Sequence, residues 1–290
     1  MLRMIKAEWY KMTKSKGFKI LCVIALLFGL LTAGFCTIID EEMIKDATGN
    51  EISEEQLDAL LGQTSDEVVV PGSLGFSTNG AEDIFDVKPL EAYHMAYGTG
   101  VMEILIAVLV GMMLAKEYSE GTIKNTLAYG KKRTEFYLAK FINISAGIAV
   151  IMAIMTATAT IGLTFTKGWG QEFAVVQLGN MARTFIGAVI VFSAVSAVIM
   201  LISTLVKSNA ATIGISVVLF IFIPTMIAYF YGMYDWFDRL YECSLFYNSS
   251  LVTAIKASGG DILKASIIGL ITIIIALGAG MFVFKAQDIK

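Results

Sequence analysis

The chain is 290 residues long, 56% hydrophobic and only 16% charged, whereas soluble domains run roughly 45–50% apolar and about 25% charged. The apolar excess is gathered into runs and the net charge of -3 hides segregated signs, which excludes an ordinary soluble domain and places the chain among all-α polytopic membrane proteins. One histidine, His94, and three scattered cysteines, Cys22, Cys36 and Cys243, exclude a disulfide framework and a CxxC metal site.

Residues 1–17 read as an interfacial amphipathic helix. Leu2, Ile5, Trp9 and Met12 recur at helical spacing, while Arg3, Lys6, Lys14 and Lys16 fall largely elsewhere. The first span follows at 18–39. It is longer than the 7–15 apolar residues of a signal peptide, and Phe35 separates Thr32-Ala33-Gly34 from Cys36, which breaks the lipobox-like pattern, so it is expected to stay uncleaved. The outer loop 40–96 has Lys45 and Lys88 as its only bases and many carboxylates, among them Asp40, Glu41, Glu42, Glu54 and Glu55. Within it, 52–61 predicts a short amphipathic helix with Ser53 as N-cap and Gly62 as C-cap. His94, a lone histidine at the outer edge, has too few neighbouring ligands for a metal. The second span, 97–115, carries Glu103 about two turns from its outer end. An ionisable group there is either satisfied structurally or lines a substrate path.

Residues 116–140 form a charged, helix-prone island between two apolar runs. Ile123 and Leu127 stand one turn apart, Gly130 is placed to end that helix, and Lys131, Lys132 and Arg133 form a basic cluster. Thr134 is positioned to N-cap a second helix running into the third span, 141–165. On periodicity alone, a stub helix that docks on a soluble partner and a plain positive loop stand level. Spans at 184–206 and 211–231 are joined by Lys207-Ser208-Asn209 as a hairpin, and Pro224 is expected to kink the second of them. In the outer segment 232–262, residues 233–247 are aromatic and of mixed charge. They read as an interfacial belt or, preferably, as two short re-entrant helices with Trp236, Tyr241 and Phe246 at an outer gate. Asn248-Ser249-Ser250 fits a glycosylation sequon. The sixth span is 263–284, with a tail at 285–290. Fifteen of the 22 Lys and Arg residues fall in the N-terminus, the 116–140 island, Lys207 and the tail, which predicts that both termini are cytoplasmic.

Glu117, Gly121-Thr122-Ile123, Lys124, Leu127, Gly130, Arg133 and Lys140 resemble the cytoplasmic loop between the second and third spans of ABC-2-type transporter permeases. The Ala7-Glu8-Trp9-Tyr10-Lys11 run, the six spans and the large first outer loop look similar too. Many members carry Pro-Val-Ser-Arg at the turn. Here Tyr129-Gly130-Lys131-Lys132-Arg133 keeps the turn and the base. The resemblance implies the membrane subunit of an ATP-driven exporter in a bacterial plasma membrane. Glu117, Gly121, Thr122, Ile123, Lys124, Leu127 and Arg133 would form a coupling helix that docks on a separate ATPase. No GxxxxGK[ST] loop occurs in the chain, so ATP and Mg are expected on that partner, with no cofactor or ATPase site here. A second permease copy or a related permease would complete the unit in the lipid bilayer. No nucleic-acid partner is expected.

An intramembrane enzyme fails on inventory, since neither HExxH nor GxSxG is present. An ion-coupled secondary transporter lacks support from internal repeats. A non-transporting sensor or scaffold of the same fold stays open. The acidic outer loop would attract cations, and small permeases of this look often serve antimicrobial-peptide or lantibiotic export or immunity. A cationic or amphipathic peptide is therefore the expected substrate class, with lipids, drugs and glycans as the alternatives.

Overall fold

The computed structural model of the chain describes residues 1–38, 86–98, 100–123, 132–170 and 174–287. Among them every regular element is a helix. α1 covers Leu2–Lys14, α2 Lys16–Ile38 and α3 Pro89–Met95. α4 runs through Val101–Val110, widens into a π-helical stretch at Gly111–Ala115 and ends as Lys116–Ser119. α5 is Arg133–Lys167, α6 Val175–Val206 and α7 Asn209–Ala228. Two short helices, α8 (Asp235–Glu242) and α9 (Leu245–Leu251), precede the last, α10 (Gly259–Ala286). The helix expected at 52–61 lies outside the described residues.

α2, α5, α6, α7 and α10 are each long and apolar enough to cross a membrane. α4, the expected second span, is not among them because it carries three ionisable residues, Glu103, Lys116 and Glu117. Its surroundings explain how it tolerates them. α4 packs against α2, α5, α6 and α7, and Met102, Ile106, Leu109, Val110 and Leu114 on it are fully buried. Wrapped in protein and not in lipid, such a helix can hold polar groups where neighbouring helices meet them.

Around α4, α2 lies along α5 and α6 lies along α10. Lipid tails are as apolar as leucine, so helix pairs in a membrane associate through close packing more than through the hydrophobic effect. Small residues set that closeness. A Cβ at Gly29 of α2 would stand 2.5 Å from the Met155 carbonyl oxygen of α5, and a Cβ at Gly269 of α10 would stand 3.3 Å from Val191 Cα of α6.

The break expected at Pro224 is spread over the π-helical stretch Val218–Phe222 just before it. Proline lacks the N–H that would continue the ladder. The Thr225 hydroxyl donates to Ile221 O, four residues earlier, at 2.7 Å. The α6–α7 hairpin turns at Lys207, whose φ of 56° makes it the one non-glycine residue in the left-handed region among the described residues.

Because the neighbour of Gly29 is backbone, it cannot swing aside. Gly29→Ala should therefore destabilise the protein by about 1–3 kcal/mol, the usual cost of overpacking. A lowered midpoint of heat-induced loss of the monodisperse peak in detergent would check this.

Candidate functional site

The site forms where α1, the end of α4 and the start of α5 meet. It lies at the end of the bundle that holds Met1 and the end of α10, since the Met1 ammonium reaches Glu135 Oε2 at 3.3 Å and Arg133 donates to Phe284 O. α1 packs on α5 by a stripe offset from the apolar one read in its sequence, with Met12 common to both. Met4, Glu8 and Met12 are buried, Ile5 is half-buried, and Leu2 and Trp9 are exposed. The docked stripe contains a carboxylate, which a count of apolar residues does not select. Gly147 of α5 makes room for Met12 Sδ, and the Asn143 amide donates to Ile5 O at 3.2 Å and to Ala139 O at 2.8 Å.

Glu8 faces Lys140 of α5, which is wholly buried. The Lys140 Nζ lies 2.5 Å from Glu8 Oε2 and 2.8 Å from Glu117 Oε1, and 5.4 Å from the Phe136 ring centre. Lys11 Nζ donates to the same Glu117 oxygen and stands 3.6 Å from Glu8 Oε1. Two ammonium groups and two carboxylates from three helices thus form a neutral cluster. Burial alone would lower the Lys11 pKa, but the hydrogen bonds and charges of Glu117 and Glu8 outweigh it and raise the value above the usual 10.5. Lys140, expected just ahead of the third span, stands well inside α5.

Glu117 owes its position to the end of α4. The Glu120 N–H closes on Lys116 O at 2.9 Å, the Gly121 N–H on Tyr118 O at 3.2 Å, and Gly121 takes a φ of +69°. Gly121 is therefore the left-handed residue that stops this helix; the expected end of the next helix at Gly130 lies outside the described residues, with Lys124 and Leu127. Thr122 is half-buried, and Ile123 turns back into the core at 2% exposure. Ile123 is therefore not an exposed docking residue in this conformation. Glu117 Oε2 is buried without a hydrogen-bond partner, beside an open cleft of about 330 Å³ bordered by Lys11, Ser15, Met112, Lys116 and Glu120.

α5 starts at Arg133 with Lys132 in the N-cap position, so Thr134 sits inside the helix and does not cap it. The Arg133 guanidinium donates to the carbonyls of Phe284 (3.1 Å), Lys285 (3.1 Å) and Gln287 (2.6 Å). These are acceptors that a helix C-terminus leaves unmatched. Gln287 Nε2 in turn donates to Thr204 O of α6 at 2.8 Å. Arg133 thereby ties the start of α5 to the ends of α10 and, through Gln287, α6.

At the opposite end, α4 begins at Val101, which puts Glu103 in its first turn and not two turns deep. Glu103 is 8% exposed, and its Oε2 has no hydrogen-bond partner. With Tyr97, Phe192, Ser249 and Thr253 it lines a cavity of about 10 Å³. His94 is buried beside this region, with its Nδ1–H donating to Thr253 O at 3.0 Å. Residues 235–251 hold α8 and α9. Trp236 is 67% exposed, Tyr241 is buried against Phe237 with ring centres 6.0 Å apart, and Phe246 meets Phe220 at 5.6 Å. Asn248 of the sequon is fully buried, and its amide donates to Glu242 O and Ser244 O at 2.8 and 2.7 Å. It is structural and not available to a glycan.

A family model described as ABC-2 family transporter protein matches residues 67–223 of the chain, just over half its length. That stretch contains α3 to α6 together with Glu103, Glu117, Gly121, Arg133 and Lys140. No curated protein matches the chain.

Two outcomes follow from this geometry. Removing one partner from a buried ion cluster costs about 3–5 kcal/mol. Lys140→Met should lower the thermal midpoint sharply, while Lys140→Met combined with Glu8→Leu should recover part of the loss, as a double-mutant cycle would show. His94 has its pKa lowered by burial, with the Thr253 bond opposing. The unfolded chain takes up that proton first, so stability should be lost as pH falls below about 6.5. Midpoints measured between pH 8 and 5 should decline less in His94→Gln than in the wild type.

Proposed function

The chain belongs to the ABC-2 family of transporter proteins, and on that premise we propose that it is the permease subunit of an exporter driven by ATP hydrolysed on a separate polypeptide. The observation that carries this reading is the ion cluster of buried Glu8, Glu117 and Lys140 with the exposed Lys11. A coupling segment must convert a push from a soluble partner into movement of spans. Here Glu117, where that segment begins, is bound by charge to α1 and α5, and the far end of the same loop is bound through Arg133 to α10. A force on residues 121–132 would therefore reach α1, α4, α5 and α10 together.

The distribution of lysine and arginine supports a cytoplasmic position for this end of the bundle. A nucleotide-binding partner would dock there through Gly121, Thr122, Lys124, Leu127 and Arg133, and would hold the ATP and Mg. A second permease copy or a related permease would complete the translocation unit. Glu103 then stands on the outer side of α4, where it would face the export path as α9 moves, with Trp236, Tyr241 and Phe246 around the exit. The acidic loop 40–85 favours a cationic or amphipathic peptide as substrate, of the antimicrobial or lantibiotic kind.

Co-expression with the ATP-binding protein encoded beside this chain tests the reading. Because Ile123 is buried, the informative change is Lys124→Glu with Leu127→Asp. Co-elution of the wild type, lost in this variant at an unchanged thermal midpoint, is the expected result. A well-folded wild type that never retains the ATPase would overturn it.

A further inference from the structure

Docking α1 on α5 leaves a second stripe of the helix uncovered. At about 100° per residue, Ile5, Trp9 and Leu2 follow the buried Met4–Glu8–Met12 stripe around the helix, and Lys6, Tyr10, Arg3 and Lys14 follow them. Leu2 is 76% exposed, Trp9 39% and Tyr10 66%. Ile5, Trp9 and Thr13 on α1, with Ile142 and Ala146 on α5, bound an open-sided cleft of about 480 Å³ with Lys6 at its edge. The one polar side chain from α5 is Asn143, whose amide is already engaged by Ile5 O and Ala139 O. The cleft is thus apolar within and cationic at one rim, and it carries no carboxylate.

Its place in the fold decides what can fill it. α2 becomes a membrane span immediately after α1, and α5 is itself a span. The cleft therefore opens where acyl chains meet headgroups, the level favoured by exposed tryptophan and tyrosine. Arg3 and Lys6 are exposed and enter no ion pair among the described residues, and Lys14 lies over the Tyr10 ring at 5.7 Å. A soluble protein partner would match the charges but would leave the apolar wall against acyl chains unexplained. We propose that this cleft binds one anionic phospholipid, with an acyl chain along Ile142 and Ala146 and the phosphate at Lys6, flanked by Arg3. The lipid would then bridge α1 and α5 on the side opposite the ion cluster. The inference needs only a membrane-embedded chain and stands apart from the transport reading.

The chain has three tryptophans, Trp9, Trp169 and Trp236. The full-length protein with Trp169→Phe and Trp236→Phe, in mixed micelles, leaves Trp9 as the reporter. Phosphatidylglycerol with brominated chains should quench it with half-saturation at a mole fraction at least about fivefold lower than brominated phosphatidylcholine, the preference expected from one to two basic contacts. Arg3→Gln with Lys6→Gln should abolish that preference. Native mass spectrometry of the unmodified protein gives a second readout, in which one phosphatidylglycerol should be retained and lost in the same variant. Equal curves for the two lipids would overturn the proposal, as would a preference that survives the double Gln variant. An equal thermal shift from inorganic phosphate alone would also overturn it, because the cleft would then read phosphate and not lipid.

Discussion

A lysine buried inside a helical membrane protein is tolerated only if its charge is met within the protein. Lys140 is met twice, by Glu8 of α1 and Glu117 of α4. This single demand accounts for much of the bundle's inner end. It fixes the rotation of α1, because Glu8 must face α5 even though that turns Leu2 and Trp9 outward. It also fixes where α4 stops, because Glu117 must lie in the last turn and Gly121 must release the chain directly afterwards. Lys11 then balances the second carboxylate, and the cluster closes as a neutral unit.

The cluster matters mechanically because of what α4 is. That helix sits at the centre of the bundle and has its ionisable groups at its two ends, Glu103 at one and Lys116 and Glu117 at the other. Its interior is closely packed, and packed interiors shift as units and do not deform continuously. Its π-helical stretch at Gly111–Ala115 places Gly111 against Asn209 and Ile213 of α7. In the coupling proposed above, a displacement that begins beside Glu117 would be carried towards Glu103 and Ser249 of α9, which share one small cavity. Arg133 and Gln287 add a second connection, from α5 to α10 and α6.

The charged groups of the bundle gather towards its two ends, while its middle is held by shape. Gly29 and Gly269 let helix pairs approach until backbone nearly touches neighbouring atoms. The serine and threonine hydroxyls within the spans are mostly turned back on their own helix. Thr156, Thr160 and Ser216 donate to carbonyls four residues earlier at 2.9, 2.8 and 2.7 Å. Such groups present little to a passing substrate. Among the described residues the Ser145 and Ser203 hydroxyls are buried without such a bond, and Glu103 lies at the end of the bundle away from the ion cluster.

The apolar runs, the hairpin at 207–209 and the segregation of basic residues were legible in the sequence, because hydropathy over about 20 residues is a local property set by the bilayer. Glu117, Gly121, Arg133 and Lys140 were also visible as a pattern, although their roles were not. Gly121 reads as part of a loop motif, and only the chain path of α4 shows it as the stop of that helix. Lys140 reads as the last charge before a span until α1 and α4 are seen to surround it. Glu8 and Lys140 are 132 residues apart, and nothing in either neighbourhood names the other. Periodicity weighs each residue against an average environment, so it assigns a carboxylate to the solvent side. The tertiary structure decided otherwise, since a charge surrounded by protein takes the side on which its counter-charge lies.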